Sequence, residues 1–523
     1  MNMKQIDYND NATAFVGKLN ENFSETQGGG IVNVLEGEQN LFLGRFTMNG
    51  NWARQKDVVC PAYMGVTYKF NMPANIVAKV YYGSSASPSS ASPNILDGGS
   101  FTMPGTANTQ YIQFAGYENG NVVATTTPVI EALIASGEIS VTYREELDIV
   151  GRTYYQGQLF AAAKRVDKGI QYTETINKAP LIAHISDLHG DSQRAYNAMQ
   201  WCKHYGIDTL VMSGDSVLYS ASDKASYVFA AAKTVGVHTC FTIGNHEVLS
   251  ISGSSAVNFT SYLNDGAEDF GYLKASDTIT DRGYYYHDFA EKSLRVIVLD
   301  QYDGGVYGGQ GKGGRISQDQ ITFLINALNN IPAGYGVVIA MHSQEAAMTY
   351  PYSKWESDRA NSYASSGFYV DEMRPIRTIV DAFISKGTCS GTYTQSYGGT
   401  TETVDIAADF SSRNADAEFI CYLCGHRHRD FIGYVSGATN PQLCILVTCG
   451  NGNTRSSSSQ YAFSGEDDLP RLGYGVTQDA FNVYSIDRAN KQVRIVRIGS
   501  DTNFNFKKRD YLVANYASTE IPT

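Results

Sequence analysis

Five short apolar runs in this chain each stop at a polar cluster. Leu181–Ile185 precedes Asp187 and His189; Thr209–Met212 precedes Gly214 and Asp215; Thr239–Ile243 precedes Gly244, Asn245, His246 and Glu247. Val337–Met341 precedes His342, and Phe419–Leu423 precedes Gly425, His426, Arg427 and His428. An unbroken apolar run of this length suits a strand covered on both faces. Helix-like periodicity lies between the runs, at Ser192–Tyr205, Lys224–Val235 and Ser317–Asn329, with Ser317 and Gln320 placed as a capping box. Strands alternating with helices imply a sheet-centred α/β domain, in which ligands collect at the carboxyl ends of the strands.

The clusters hold five of the chain's 9 histidines: His189, His246, His342, His426 and His428. The other four, His184, His204, His238 and His287, have no such placement and read as packing or surface residues. An Asp-x-His pair offers a metal one hard oxygen and one imidazole nitrogen, and its weight comes from repetition of the same construction at later strand ends. Cys421 and Cys424 beside His426 and His428 have zinc-like spacing, but no second cysteine pair lies nearby and the surrounding residues fit a buried strand. The chain's 8 cysteines read as buried reduced thiols.

This order of blocks closely resembles the calcineurin-like metallophosphoesterases, whose pattern is D-x-H, G-D, G-N-H-[DE], H and G-H-x-H. The likeness spans about Ala179 to Ile498. It implies a four-layer sandwich, two packed β-sheets flanked by helices. It also implies hydrolysis of a phosphoester, a phosphodiester for preference, by a hydroxide bridging two divalent ions. By motif position the first ion takes Asp187, His189 and His428, and the second takes Asn245, His342 and His426. Asp215 is the bridge, since two cations roughly 3.5–4 Å apart need a shared anion between them. The mixed nitrogen and oxygen set suits Mn, Fe or Zn better than Ca. His246 falls where the family places a general acid or electrostatic stabiliser, with Glu247 orienting it. Asp191 and Arg427 have no fixed role in the pattern.

At 523 residues the chain calls for more than one domain. Residues 1–30 read as a helix, with Phe15, Leu19 and Phe23 on one stripe over residues 12–25, followed by a glycine joint. Residues 31–150 alternate as an antiparallel β-sandwich, jelly-roll in character; residues 151–178 are a linker, and residues 179–523 are the catalytic domain. An insertion, residues 343–416, carries aromatics from Tyr350 to Tyr369, a helix at Pro375–Lys386 and a Gly/Thr/Ser tract at Gly387–Thr403. This insertion and Asp303–Gly314 are lid candidates, and Phe481–Ile498 reads as a closing hairpin.

The net charge of −12 argues against non-specific nucleic-acid binding, and so against a nuclease reading. No run approaches the roughly 20 apolar residues of a membrane span. The first residues lack the apolar core of a signal peptide, so a cytoplasmic or virion-associated location is expected. Phe15–Phe23 loosely resembles the starts of some phage tail and baseplate proteins. That likeness implies homo-oligomer or virion assembly through residues 12–25. An assembly or cell-surface binding protein with an accessory phosphoesterase domain is therefore the alternative reading.

Overall fold

The computed structural model describes residues 39–40, 43, 46–55, 67–83, 90–102, 109–144, 179–188, 192–216, 228–229, 231–233, 235–248, 273–274, 283–303, 316–343, 348–349, 374–397, 400–414, 416–426, 431–447, 480–499 and 512–520. The helix expected over residues 12–25, the connection 151–178 and the aromatic run 350–369 lie outside these residues.

The N-terminal region folds as β1 (Gln39–Asn40), β2 (Phe46–Asn49), β3 (Trp52–Gln55), β4 (Thr67–Asn71), β5 (Ile76–Gly83), β6 (Ser90–Ala91), β7 (Ser100–Thr102), β8 (Thr109–Glu118), β9 (Asn121–Val123) and β10 (Ser140–Arg144). They form two antiparallel sheets, β1-β10-β4-β7 and β2-β3-β8-β5-β6, with β9 on β8. Alternation explains the burial: Ala78 and Val80 on β5 and Ile112 and Phe114 on β8 turn inward together. The helix Thr127–Ala135 adds Ile130 to the same cluster.

The rest of the chain adds β11 (Leu181–Ile185), β12 (Thr209–Met212), β13 (Thr239–Phe241), β14 (Leu273–Lys274), β15 (Tyr285–Phe289), β16 (Leu294–Val298), β17 (Gly336–Ala340), β18 (Met348–Thr349), β19 (Thr388–Tyr397), β20 (Thr400–Asp409), β21 (Glu418–Cys424), β22 (Phe431–Val435), β23 (Leu443–Leu446), β24 (Ala480–Asp487), β25 (Gln492–Gly499) and β26 (Leu512–Asn515). One sheet runs β13-β12-β11-β24-β25-β26, and a second runs β14-β15-β16-β17-β21-β23-β22-β18. Neighbours within β11–β13 and within β16-β17-β21-β23 are parallel, so their carboxyl ends share an edge of each sheet. The architecture is thus mixed α/β sheets beside N-terminal antiparallel ones.

Two faces of the second sheet enter two cores. Val296, Val298, Val338 and Ala340 join a buried cluster with Ile182, Ile185 and Val211 of the first sheet. Ile297, Val337 and Ile339 join another with Leu324 and Leu328 from the helix Gln318–Asn329 and Ile379 and Phe383 from the helix Arg374–Ser385. Burial on both sides is why these strands read as unbroken apolar runs.

Two expectations change in detail, and a third, that Cys421 and Cys424 form no zinc site, agrees with the structure. Ser317 does cap its helix, its side chain accepting from Gln320 N at 3.2 Å. The return half of the capping box is replaced, because Asp303 accepts the Ser317 N–H at 2.9 Å. Gln320 instead bonds both Asp300 N, at 2.8 Å, and Asp300 O, at 2.6 Å. Next, the Gly387–Thr403 tract lies in the β19–β20 hairpin, paired from Thr388↔Asp409 to Tyr397↔Thr400. The hairpin's Val404, Ile406 and Ala408 pack into the helix-side core, so one face of the hairpin is core and the other faces outward. Finally, Cys421 and Cys424 fall in different cores, on opposite faces of β21, and cannot chelate one ion together. Among the described residues no helix is long and apolar enough to cross a membrane.

Candidate metal centre

The strand ends turn sharply to deliver their polar side chains. Asp187, Asp215 and His426 all adopt left-handed φ, +57°, +52° and +68° respectively. Such backbone is strained for residues with a Cβ and persists where surrounding contacts enforce it. Those contacts are present. Asp187 N–H donates to Gly214 O at 3.1 Å, and its carboxylate accepts His426 N–H. Asp215 Oδ1 accepts His246 N–H at 2.8 Å.

The motif glycines make room for this convergence. Gly214 has φ +94°, and a Cβ there would lie 2.4 Å from His342 Nδ1. A Cβ at Gly425 would overlap Ser186 Oγ and sit 2.7 Å from Asp187 Oδ2. Neither position tolerates a side chain without moving a candidate ligand.

At the centre, four atoms with lone pairs come together. His342 Nε2 is 2.9 Å from Asn245 Oδ1, 3.2 Å from His426 Nδ1 and 3.2 Å from Asp215 Oδ2. His426 Nδ1 is also 2.9 Å from Asn245 Oδ1. Asp215, His342 and His426 each offer an atom within 4.8 Å of the others, a set that could hold a metal ion. The spacing fits ligands around one ion, since bonds of about 2.0–2.1 Å set neighbouring ligand atoms about 2.8–3.4 Å apart.

Electrostatics point the same way. Asp187, Asp215 and Glu247 are 0%, 1% and 3% exposed. Burial pulls the His342 pKa down, yet the charge of Asp215, with Asp187 beyond it, lifts it to about 9. The buried carboxylates that raise this ring's proton affinity make a negative field at the centre, which a divalent cation would offset. The donor set therefore fits a metal.

Glu247 gathers backbone amides around the centre. Its carboxylate accepts the backbone N–H groups of Gly244 at 2.7 Å, Asp215 at 2.9 Å and Ser216 at 2.6 Å. It thereby fastens the turn after β13 to the turn after β12 and fixes Asp215. Burial, then the nearby Asp215 charge, pushes its pKa up to about 7 against the pull of His342 and the amides. His246 lies at the rim, 13% exposed at its side chain, with Nε2 3.8 Å from Asp215 Oδ2.

Of the sequence candidates, Asp187, Asp215, Asn245, His246, Glu247, His342 and His426 are brought together. His189, His428, Asp191 and Arg427 lie outside the described residues. Two participants are not evident from sequence. Ser213 accepts from His342 Nδ1 through its carbonyl at 2.7 Å, a contact with no side-chain signature. His184 is wholly buried beneath it, and a histidine inside an apolar strand is the signal that points to it. His238 and His287 do pack as expected, with ring centroids 4.2 Å apart.

Residues 180–340 match the family model described as calcineurin-like phosphoesterase. Among solved structures, a dimetal phosphatase from Danio rerio is similar at 13% identity and a TM-score of 0.38, covering 65% of this chain and 99% of that one. The protein TT1561 of Thermus thermophilus is similar at 8% identity and a TM-score of 0.30, covering 65% of this chain and 99% of that one. No curated protein matches the chain. Likenesses this distant leave the chemistry to the side chains themselves.

Proposed function

We propose, from the calcineurin-like phosphoesterase domain that residues 180–340 form, that this phosphoric ester hydrolase cleaves a phosphodiester with two divalent ions of Mn, Fe or Zn. The observation that carries this reading is the convergence of Asp215, Asn245, His342 and His426 donor atoms from four strand ends. Asn245, His342 and His426 would hold one ion. Asp187, together with the motif residues His189 and His428, would hold the other, and Asp215 would serve both. The ions, when bound, supply a water acidic enough to attack at neutral pH and offset charge on the phosphoryl oxygens.

The remaining work belongs to the chain. Attack places the water oxygen on phosphorus and breaks the bond to the leaving alcohol oxygen. His246, at the rim, would give that departing oxygen a proton from Nε2, so the alcohol leaves neutral. Glu247 would keep Asp215 aimed through the three amides it gathers. Two sheets sharing one buried cluster, with helices against the second, support the four-layer sandwich, and the N-terminal sheets support an accessory β-sandwich.

The test compares bis(4-nitrophenyl) phosphate with 4-nitrophenyl phosphate on the full chain supplied with Mn²⁺. A higher kcat/KM for the diester is expected. A preference for the monoester would overturn the diester assignment, and turnover of neither would overturn the hydrolase reading.

A further inference from the structure

His184 occupies the fourth position of β11, where its neighbours Ala183 and Ile185 are apolar and buried. By sequence it reads as a packing or surface residue, yet its ring carries polar contacts at both nitrogens. Nδ1 lies 2.9 Å from Tyr484 OH, and Nε2 lies 2.8 Å from Ser213 Oγ. Asn482 Nδ2 donates to the same Tyr484 oxygen at 3.2 Å. An amide NH₂ can only donate, so the Tyr484 hydroxyl accepts there while it also meets His184 Nδ1. In either neutral tautomer one ring nitrogen donates and the other accepts, so the imidazole bridges Tyr484 and the Ser213 hydroxyl.

Ser213 is the link to the metal centre. Its carbonyl accepts from His342 Nδ1 at 2.7 Å and from Ser186 Oγ at 3.2 Å. A carbonyl oxygen can only accept, so Nδ1 of His342 holds a proton, and Nε2 is the nitrogen turned toward Asp215, Asn245 and His426. The tautomer of His342 is thus set by the placement of one backbone carbonyl. That residue is clamped from its side chain by His184.

We propose that His184 is a positioning residue for the metal centre, held between Tyr484 and Ser213 so that the Ser213 carbonyl fixes the tautomer and aim of His342. The proposal rests on the metal-dependent reading above. A buried imidazole is costly unless both nitrogens find partners, and an apolar side chain would fill the strand position more simply. What the imidazole adds is rigidity behind a ligand, and loss of such outer partners typically weakens metal binding about 10–100-fold.

The experiment is a calorimetric titration of the metal-stripped full chain with MnCl₂, alongside melting curves of the same samples. Ser213→Ala removes the hydroxyl but keeps the carbonyl; His184→Leu removes the clamp; His184→Gln restores an amide able to reach Ser213. The first Mn²⁺ equivalent should bind as in the wild type. The second should weaken about 10–100-fold in Ser213→Ala and His184→Leu, with no further loss in the double variant and partial recovery in His184→Gln. Should His184→Leu not fold, Ser213→Ala decides. Wild-type affinity for the second equivalent in the single variants, whatever their melting temperatures, overturns the proposal, as do losses that add. A wild-type chain that takes up no Mn²⁺ sinks the metal-dependent reading itself, a different result from unchanged variants.

Discussion

The carboxylate of Asp187 accepts the backbone N–H of His426, 3.1 Å from each oxygen, and so ties the end of β11 to the end of β21 in the other sheet. The bond from His342 Nδ1 to Ser213 O makes a second such tie, from β17 to β12. The centre therefore exists only when the two sheets are docked, and metal binding and the sheet interface stabilise one another.

Metal removal should weaken the fold for that reason. Chelation followed by dialysis is expected to lower the Tm of the full chain, and returning Mn²⁺ at about 100 times its Kd should restore roughly 2.7 kcal/mol. Differential scanning calorimetry checks this; an unchanged Tm would uncouple the centre from the interface.

His246 should affect chemistry without affecting metal content. His246→Ala is expected to keep both equivalents while slowing turnover roughly 10²- to 10⁴-fold. The loss should shrink for esters with good leaving groups, which depart without protonation. Equal losses across a leaving-group series would assign His246 some role other than proton donor.

Gly214→Ala tests the close approach at the centre. Its Cβ would press on His342 Nδ1 at 2.4 Å in a backbone with φ +94°. The conformational strain alone should cost about 1–2 kcal/mol, and the displaced ring should lose the Ser213 carbonyl. Reduced stability together with loss of the second metal equivalent is expected; wild-type metal uptake would show that His342 is not held by this contact.

The helix Ser192–Tyr205 and strand Leu181–Ile185 are legible residue for residue, because burial on both sheet faces leaves an apolar run and the helix a 3.6-residue period. The clustering of Asp215, Asn245, His342 and His426 follows from strand ends that share an edge. The β19–β20 hairpin is not legible. It is buried on one face only, and Gln395 on that face is satisfied by Ile316 N and O, each at 2.8 Å, so a core position reads as polar. The work of Glu247 is hidden for a similar reason: its partners are backbone amides, which nearly every residue possesses.

A pH-dependent contribution to stability lies at the other end of β21. Burial raises the Glu418 carboxyl, but hydrogen bonds from Lys491 Nζ at 2.5 Å and Tyr516 OH at 2.7 Å, with the Arg488 charge, outweigh it and hold the group below 4.5. These contacts join the second sheet to the β24–β25 turn and to the residue after β26. A depressed carboxylate stabilises above its unfolded pKa, and that contribution disappears as pH falls through the folded value. Glu418→Gln should therefore be less stable than the wild type by on the order of 1 kcal/mol at pH 7, with the difference closing toward about pH 3. Urea melts at both pH values check this, and a gap that stays constant would exclude Glu418 as its source.

The most direct test of the metal centre is elemental analysis of bound Mn²⁺ in the wild type and in Asp215→Asn, each assayed for diester hydrolysis. Asp215 Oδ2 faces His342 Nε2 at 3.2 Å and is the carboxylate assigned to both ions. The wild type should hold two equivalents and turn over, whereas Asp215→Asn should fall to one or fewer and lose nearly all activity. Two full equivalents with near-normal turnover in Asp215→Asn would contradict the assignment.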